Sequence, residues 1–502
     1  MAPSTPPFRR LLVVNRGEIA VRILRAATEL SIRTVAIYSH EDRFSLYRFK
    51  ADEAYKLGEP GEPYKAYLDG PEILKHAVKW GVDAVHPGYG FLSEDADFAQ
   101  GCVDAGIQFI GPSPKILSMF GDKVKARQVA TEAGLPVIPG TENPVETLDE
   151  ARQAAKKIGY PIFLKAVAGG GGKGIRVIGS EAELEDAFSR AKSEAQTSFG
   201  RSQIYLEKKV DQAKHIEVQI LGDSHGQIVH LFERDCSIQR RHQKVVEVAP
   251  ALYLGEKVRG ELFAAAIKLA KHTGYCGLGT VEFLVSGTGE IYFLEVNPRI
   301  QVEHTVTEMI TGIDLVQASI LVAAGRKVSD EAIGIPSQES LRCNGAAIQC
   351  RITTEDPAKN FAPDTGKIIA YRPGAGFGIR LDEGHGTSGG QVSPHYDSLL
   401  VKVTSFARSM EQAAAKMHRS LSEFRIRGIK HNIPLLKNVM RHPNFVPGKY
   451  TTQFLDQEKN LFEYILPRDR ATKLLRYIAD ATVNDPHGLG QRERVFVKEP
   501  KI

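Results

Sequence analysis

Two glutamates and an asparagine recur on one side of the segment GTVEFLVSGTGEIYFLEVNPRIQVEH, which starts at Gly279. Its two apolar runs flank a glycine-containing turn, which predicts an antiparallel hairpin. Because side chains alternate between the faces of a strand, Glu282, Glu295 and Asn297 share one face. Two carboxylates and an amide oxygen suit magnesium, whereas a solvated strand face is the plainer alternative. The remaining strand positions are too apolar for two wet faces, so we expect a metal site.

The turn of this hairpin also sets the predicted register, in which Glu282 pairs with Phe293 and lies diagonal to Glu295. Beyond the second strand, Arg299 has a rigid guanidinium fork that suits a planar oxyanion. Glu303 would be a base beside it. From the residues alone, a plain surface ion pair is the better explanation of Arg299 and Glu303.

The stretch FLKAVAGGGGKGIRVI contains four consecutive glycines, Gly169–Gly172. Residues Gly169–Gly174 fit the dinucleotide-binding spacing G-x-G-x-x-G, but a β-branched strand follows where that motif needs a helix. A phosphate loop is also excluded, because Lys173 is followed by glycine instead of serine or threonine. A glycine hairpin whose exposed backbone N–H groups bind phosphate oxygens remains possible, as does an ordinary flexible hairpin.

The segment ERDCSIQRRHQKVVE contains a dense basic cluster, which consists of Arg234, Arg240, Arg241, His242 and Lys244. Such a cluster indicates either a solvated face or a nucleic-acid patch. No aromatic residue is interleaved for base stacking, so nucleic acid is disfavoured. A small polyanionic substrate such as ATP accounts for the cluster equally well.

The chain has 502 residues and the composition of a globular protein. This length is enough for about three or four domains. The net charge of +5 is small for this length and gives no reason to expect nucleic acid or membrane as a partner. The five cysteines lack C-x-x-C spacing, which predicts reduced thiols, no zinc site and a cytoplasmic location. The start MAPSTPPFRR lacks the apolar core of a signal peptide, and no run reaches the length of a membrane span.

The first 120 residues alternate strand and helix patterns. Arg10–Val14 predicts a buried strand, a helix follows through Leu30, and Thr34–Tyr38 predicts the next strand. This alternation is typical of an open, mostly parallel sheet, whose ligands gather at the carboxyl ends of the strands. The loop HPGYGFLSE, His86–Glu94, would lie at that edge.

Several motifs in order resemble a known family. MFGDK, YPIFLKAVAGGGGKGIRVI, CSIQRRHQKVVEVAPA and FLEVNPRIQVEH resemble the ATP-grasp fold, in which a glycine-rich hairpin closes over the ATP phosphates. LLVVNRGEIAVRILRA, HPGYGFLSE and QCRI narrow the resemblance to biotin carboxylase, from about Phe8 to Lys449. YSHEDRFSLYRFKADEAYKLGE and the segment from Tyr450 are similar, more narrowly, to the biotin carboxylase part of the pyruvate carboxylases.

The resemblance implies an α/β fold, α+β overall, in four parts. An N-terminal open, mostly parallel sheet domain spans 1–120. A central ATP-grasp domain spans 121–325, with a mobile glycine-rich lid at about 135–210. A mixed α+β C-terminal domain spans 340–450, and 451–502 forms an extension that resembles the linker of pyruvate carboxylase.

The resemblance also implies a role for each matching residue. The expected nucleotide contacts are Lys123, Lys165, Gly169, Gly170, Gly171, Gly172, Glu207, Lys208, Val210, His215, Gln239 and His242. The metal ligands would be Glu282, Glu295 and Asn297. Bicarbonate would be held by Lys244, Arg299, Gln301 and the backbone of Val302, with Glu303 as its base. Biotin would be bound by Tyr89 and Arg351.

The implied reaction is the ATP-dependent carboxylation of biotin by bicarbonate through carboxyphosphate, with two Mg²⁺ or Mn²⁺ ions. It is the first half-reaction of a biotin-dependent carboxylase, a pyruvate carboxylase or alternatively an acyl-CoA carboxylase. The chain has no A-M-K-M biotin-attachment motif, so biotin would be a substrate on a carrier protein or domain, and a carboxyltransferase would complete the reaction. Another ATP-grasp ligase and an inactive nucleotide-binding scaffold are the competing hypotheses.

The resemblance also implies a homodimer, or a place in a larger assembly. The segment NRGEIAVRILRA is expected to contribute to the dimer contact. We expect it to present Arg16, Glu18, Arg22 and Arg25 around a helix.

Overall fold

A computed structural model describes residues 6–141, 143–166, 175–199, 203–241, 243–251, 253–384, 386–463 and 470–484. The chain divides into two units, residues 1–461 and residues 462–502. In the second unit the described structure includes one α-helix, Arg470–Asn484, whose described side chains are mostly exposed.

The N-terminal region is built around a five-stranded sheet in which every pair of neighbours is parallel. Its strands are β1 (Arg10–Val13), β2 (Arg33–Tyr38), β3 (Glu53–Lys56), β4 (Ala84–His86) and β5 (Gln108–Phe109). The accompanying helices are α1 (Gly17–Glu29), α2 (Lys65–Leu68), α3 (Gly70–Lys79), α4 (Ala96–Asp104), α5 (Pro114–Gly121) and α6 (Lys123–Glu132). The prediction of an open parallel sheet is confirmed.

The strand order β3-β2-β1-β4-β5 reverses direction at β1, between β2 and β4. Such a reversal opens a crevice at the carboxyl ends of the strands, where parallel sheets bind ligands. The loop HPGYGFLSE begins at the last residue of β4, His86, and therefore lies at this edge.

A small antiparallel sheet with two helices follows. Its elements are α7 (Leu148–Ile158), β6 (Ile162–Ala166), β7 (Ile175–Ile178), α8 (Leu184–Phe199) and β8 (Ile204–Lys208), and the strand order is β7-β6-β8. A reciprocal capping box between Thr147 and Glu150 starts α7. Since β6 and β7 pair antiparallel, the prediction that the glycine stretch joins two hairpin strands is confirmed. The glycines Gly169–Gly172 themselves lie outside the described residues.

The central region continues with longer strands and three helices. They are β9 (Lys214–Gly222), β10 (Ile228–Arg240), β11 (Gln243–Ala249), α9 (Glu256–Thr273), β12 (Gly277–Val285), β13 (Ile291–Asn297), α10 (His304–Thr311) and α11 (Leu315–Ala323). Among the described residues no single helix is long and apolar enough to span a membrane, although α10 and α11, bent by 96° at their junction, reach that length and hydropathy together. Most of their side chains are buried in the protein.

The C-terminal region contains short strand pairs and three helices. They are β14 (Ala346–Thr353), β15 (Glu355–Asp356), β16 (Ala362–Pro363), β17 (Gly366–Lys367), β18 (Ala370–Arg372), β19 (Ile379–Glu383), β20 (Gln391–Val392), β21 (Leu399–Ala407), α12 (Met410–Glu423), β22 (Arg425–Arg427), α13 (Ile433–Arg441) and α14 (Phe454–Gln457). Single 3₁₀ turns at Leu46–Phe49, Glu181–Glu183, Gln338–Ser340, Pro357–Lys359 and Lys459–Phe462 complete the elements.

One eight-stranded antiparallel sheet runs through the central and C-terminal regions, in the order β13-β12-β9-β10-β11-β14-β21-β19. β14 pairs directly with β11, so the C-terminal strands extend the central sheet. Side chains from both regions therefore meet on one sheet, and several of the active-site candidates lie on its strands.

The predicted register of the β12–β13 hairpin is wrong. Glu282 pairs directly with Glu295, whereas Phe283 pairs with Phe293, so the register shifts by one residue between these pairs. A β-bulge of this kind leaves one residue of a strand without a direct partner and redirects its neighbours. It places the two carboxylates directly opposite each other, with Asn297 opposite Thr280.

Of the four residues expected at the dimer contact, Arg16, Glu18, Arg22 and Arg25, three are engaged within the same unit. Arg16 forms a two-bond ion pair with Asp42, at 2.6 and 2.7 Å. Glu18 and Arg22 are buried and pair with other parts of the same unit. Arg25 alone of the four is exposed. The cysteines are free thiols, as predicted.

Candidate active site

A buried ammonium group stands at the centre of the site. Lys244 Nζ on β11 lies 2.5 Å from Glu217 Oε2, 2.8 Å from Glu282 Oε1 and 2.6 Å from Glu303 Oε1. All three glutamates are almost completely buried. Their attraction outweighs the effect of burial and raises the pKa of Lys244 well above its usual value. The strands β9, β11 and β12 and the start of α10 thus bring one cation against three anions.

Glu303 is held between two cations. Its other oxygen, Oε2, accepts a hydrogen bond of 3.0 Å from Arg351, which also donates to Glu247 Oε1 at 2.6 Å. Burial would raise the pKa of Glu303, but the charges of Lys244, Arg351 and Arg234 outweigh burial and hold it below its usual value. Glu303 is therefore ionised, and it becomes a stronger base only when a bound substrate draws these cations away.

The two strand glutamates of the β12–β13 hairpin, Glu282 and Glu295, differ in their surroundings. Glu282 accepts from His215 Nε2 at 2.6 Å, from Asn297 Nδ2 at 2.9 Å and from Gln301 Nε2 at 2.8 Å. Glu295, half-buried opposite Glu282, has no hydrogen bond or ion pair to any described residue. Burial, and then the charge of Glu282, raise the pKa of Glu295. A divalent cation would relieve this repulsion, so the residues fit the expected metal site.

The basic cluster of the β10–β11 hairpin divides into inward and outward residues. Arg234 is fully buried, and it donates to Glu217 at 2.5 Å and to Gln301 Oε1 at 2.8 Å. It also donates to Gln219, Thr280 and Thr307, so its guanidinium makes five hydrogen bonds. Arg240 instead bonds Asn360 near the end of the hairpin. Arg241 is exposed, and His242 lies outside the described residues.

Arg299 lies at the edge of the cluster. It donates to Glu94 Oε1 at 2.5 Å, to Asn297 Oδ1 at 2.9 Å and to the carbonyl of Ile300 at 3.1 Å. Arg299 forms no ion pair with Glu303: among the described residues, the charged groups paired with Glu303 are Lys244 and Arg351. Arg299 instead connects Asn297, one of the expected metal ligands, to Glu94 in the loop HPGYGFLSE.

The expected nucleotide residues lie in two places. Lys165 on β6 forms an ion pair with Glu207 on β8 of the small sheet. Lys208 Nζ donates to two backbone carbonyls, each at 2.9 Å, and Val210 follows β8 and is half-buried. His215 and Gln239 lie on the large sheet, where Gln239 is the register partner of Lys244. Lys123 is the exposed first residue of α6, and its charge acts on Glu295.

The two expected biotin residues, Tyr89 and Arg351, have a common neighbour, Lys402. Tyr89, half-buried, is fixed at its backbone carbonyl by Asn15 Nδ2 at 2.8 Å. Arg351 on β14 is the register partner of Lys402 on β21, whose Nζ lies 6.0 Å from the centre of the Tyr89 ring.

Sequence reasoning missed the acids that hold the cations in place. Glu217 and Glu247 are completely buried. Glu217 pairs with both Lys244 and Arg234, and Glu247 pairs with Arg351. Their signal was a single acidic residue inside an apolar strand, as in HIEVQIL and VVEVA. A buried charge is costly unless it is paired, so such a position predicts a partner although it does not identify it.

Three family profiles match the chain in order. They are described as "Biotin carboxylase, N-terminal domain" at residues 7–117, "Carbamoyl-phosphate synthase L chain, ATP binding domain" at 122–331 and "Biotin carboxylase C-terminal domain" at 349–457. The chain is similar to the biotin carboxylase domain of the Hydrogenobacter thermophilus 2-oxoglutarate carboxylase, with 45% identity, a TM-score of 0.85 and coverage of 91% of this chain and 99% of that domain. That domain was solved as a dimer with MgADP, ADP and bicarbonate.

The chain is also 54% identical to the pyruvate carboxylase of Bacillus subtilis, over 99% of this chain and 43% of that protein. It is 54% identical to the human mitochondrial pyruvate carboxylase, over 96% of this chain and 40% of that protein. The chain thus spans about two-fifths of the length of these relatives.

The parallel N-terminal sheet, the small hairpin sheet and the large antiparallel sheet with its buried carboxylates define an ATP-grasp enzyme architecture. The flanking matches are specific to one branch of that class, and they disfavour a purine-pathway or carbamoyl-phosphate ligase. The chain belongs to the biotin carboxylase family.

Proposed function

We propose that this chain carboxylates biotin, using ATP and bicarbonate and passing through carboxyphosphate. The observation that carries the proposal is Glu303, a buried carboxylate held between Lys244 and Arg351. The first cation is suited to the bicarbonate and phosphate charges, and the second to the charge that develops on biotin. The carboxylate of Glu303 thus contacts both the cation proposed for the first half-reaction and the cation proposed for the second.

In the first half, an oxygen of bicarbonate attacks the γ-phosphorus of ATP, and ADP leaves. Lys244 and Arg299 would hold the bicarbonate, and Glu303 would accept its proton. Recruitment of Lys244 to the substrate weakens its attraction for Glu303, which raises the proton affinity of that carboxylate at the moment it is needed. Lys165 and Lys123 would contact the phosphates as point charges.

In the second half, carboxyphosphate yields CO₂ and phosphate. The phosphate removes the proton from the biotin N1′ nitrogen, and the nitrogen attacks CO₂. Arg351 would donate to the ureido oxygen as negative charge develops there, and Tyr89 would lie near the ring. Water destroys carboxyphosphate, so both halves require a closed site.

Glu282, Glu295 and Asn297 would hold magnesium or manganese, with two ions beside the nucleotide. A bound divalent ion neutralises charge on the transferring phosphoryl group. The support within this chain is the half-buried carboxylate of Glu295, which faces Glu282 without a cationic partner among the described residues.

The remaining assignments concern the rest of the carboxylase. We propose pyruvate as the final acceptor of the carboxyl group, because the chain is similar to pyruvate carboxylases over nearly its whole length. An acyl-CoA is the alternative acceptor. A biotinyl carrier domain would deliver biotin, and a carboxyltransferase would consume carboxybiotin. The domains 1–120, 121–325 and 340–450 and the extension 451–502 remain our proposed division of the chain.

The test of the proposed function is ATP cleavage by the purified chain, measured as ADP release with biotin and bicarbonate each present or omitted. We expect release to rise only when both are present. Release that ignores both would favour a different ATP-grasp ligase, and no release with retained ATP binding would favour an inactive scaffold.

The Glu295→Gln variant tests the metal site. Loss of one oxygen ligand of a two-carboxylate site should raise the Mg²⁺ concentration needed for half-maximal ADP release by roughly 10-fold or more, because a charge-assisted contact contributes about 1.5–3 kcal/mol. Glu290→Gln, at an exposed carboxylate of the same hairpin, is the matched control. An unchanged Mg²⁺ requirement in Glu295→Gln would remove this residue from the metal site.

The Arg25→Glu variant tests the dimer contact. Of Arg16, Glu18, Arg22 and Arg25, only Arg25 is exposed, whereas the other three are already paired within the unit. We expect the wild-type chain to be a dimer by light scattering at micromolar concentration, and Arg25→Glu to shift it toward the monomer. A dimer unaffected by Arg25→Glu would place the contact on another surface.

A further inference from the structure

Lys402 is a fully buried lysine that the proposed reaction does not use. It lies on β21, and its side chain has 0% exposure. Its Nζ donates to the carbonyl oxygen of Val302 at 3.0 Å and lies 3.1 Å from Glu18 Oε2. Burial of an ammonium group costs several kcal/mol unless good partners compensate, so these contacts fix the group strongly.

The Val302 carbonyl belongs to the segment on which the proposed bicarbonate site rests. Because a peptide unit is planar, fixing this carbonyl also fixes the N–H of Glu303. The preceding carbonyl, that of Gln301, accepts from His304 Nδ1 at 2.8 Å, which in the same way fixes the N–H of Val302. Two buried side chains therefore set the orientation of two consecutive peptides next to the base.

Lys402 also neighbours the proposed biotin residues. In the sheet it is the register partner of Arg351 on one side and of Asp382 on the other. Its Nζ lies 6.0 Å from the centre of the Tyr89 ring. The ammonium group is thus close to residues of both proposed substrate sites, Val302 and Tyr89, although its hydrogen bond goes to the backbone.

Glu18 connects this arrangement to α1. It is buried in the first turn of that helix, and burial, opposed by the charge of Lys402, raises its pKa to about 7. Lys402 is the cation within ion-pair distance of Glu18 among the described residues. Movement of the start of α1 would therefore be transmitted to the Val302 carbonyl through this single pair.

We propose that Lys402, held in place by Glu18, is a positioning residue for bicarbonate: it orients the Val302–Glu303 peptide so that the backbone and the base face the substrate together. The inference rests on the proposed function. It assigns to a buried lysine outside the substrate contacts the task of keeping the bicarbonate site assembled.

The test is steady-state ADP release by the Lys402→Met variant of the chain, a substitution of similar length without the charge. A lost hydrogen bond to a charged group contributes about 1.5–3 kcal/mol, so the KM for bicarbonate should rise roughly 10- to 100-fold. The KM for ATP should stay near the wild-type value. A wild-type KM for bicarbonate in a folded Lys402→Met variant would overturn the inference.

The double variant Lys402→Met with Glu18→Gln separates positioning from charge balance. It removes the charges of both members of the buried pair. If the effect of Lys402→Met came only from an unpaired Glu18, the KM for bicarbonate would return to the wild-type value in the double variant. We expect the KM to remain high, because the Val302 carbonyl still lacks its donor. A return to the wild-type KM would overturn the inference.

Lys214→Met is the matched control. Lys214 is also largely buried and donates to two backbone carbonyls, those of Gly448 and Tyr450, at 2.7 Å each. It should lower the melting temperature without a selective rise in the KM for bicarbonate. An equal rise in that KM would mean that loss of any buried lysine suffices, and would overturn the specific role of Lys402.

Glu18→Gln decides the question if Lys402→Met does not fold. It keeps the ammonium group but weakens its anchor, so the KM for bicarbonate should rise to a smaller extent, and an unchanged KM would overturn the inference. Inactive wild-type protein would instead overturn the proposed function. The two failures are therefore distinguishable.

Discussion

Glu303→Gln is expected to lower bicarbonate-dependent ADP release about 10²–10⁴-fold, the usual contribution of a general base. The amide keeps the shape of the side chain but cannot accept the bicarbonate proton. Carboxybiotin formation should fall in parallel, because it depends on the same first step. Both products are measured in the same reaction, with ATP binding as the check that the nucleotide site survives.

The same substitution removes an anion from between Lys244 and Arg351, and loss of one member of a buried ion pair costs about 3–5 kcal/mol of stability. Glu308→Gln is the matched control, since Glu308 on α10 also bridges two arginines, Arg22 at 2.9 Å and Arg380 at 2.5 Å. It should lower the melting temperature without a comparable selective loss of bicarbonate dependence. Equal losses in both variants would contradict the assignment of Glu303 as the base.

Arg351→Ala is expected to separate the two half-reactions. Loss of one donor to a developing negative charge costs about 3–4 kcal/mol, or roughly 10²–10³ in rate, and this loss should fall on carboxybiotin formation. Carboxyphosphate formation should persist, because Arg351 is one of the cations that hold the pKa of Glu303 down. Its removal moves that pKa upward and leaves a more basic carboxylate.

The measurement is the ratio of ADP to carboxybiotin, followed in parallel for the wild-type chain and for Arg351→Ala. We expect the ratio to rise in the variant. Arg351→Lys, which keeps the charge but loses the bidentate fork, should give an intermediate ratio. A proportional fall of both products in Arg351→Ala would mean that this arginine does not act in the biotin step.

Local sequence patterns predicted the elements that carry the site. The apolar strand before Asn15 and the helix after it predicted the parallel sheet. The β-branched runs on both sides of the glycines predicted the β6–β7 hairpin. The residues that define each of these elements lie close together in the sequence, so hydrophobic periodicity and turn residues are sufficient to identify the elements. The proposed metal residues, Glu282, Glu295 and Asn297, could be identified because they alternate on such strands.

The contacts between distant segments could not be predicted in the same way. The bulge that places Glu282 opposite Glu295 depends on packing and not on the turn residues. Arg16 and Arg22 looked like surface charges because their acidic partners, Asp42 and Glu308, lie far away in sequence or in another region. Burial decides which charged residue is structural, and a single sequence does not report burial.

The central claim is that bicarbonate itself attacks ATP, and the most direct test follows the bicarbonate oxygens. The chain is incubated with ATP, biotin and ¹⁸O-labelled bicarbonate, and the phosphate released is analysed by mass spectrometry before the label exchanges with water. Formation of carboxyphosphate transfers one bicarbonate oxygen to the phosphate, so we predict one ¹⁸O in each phosphate produced in step with carboxybiotin. Phosphate that carries oxygen from water alone, while carboxybiotin still forms, would contradict the account.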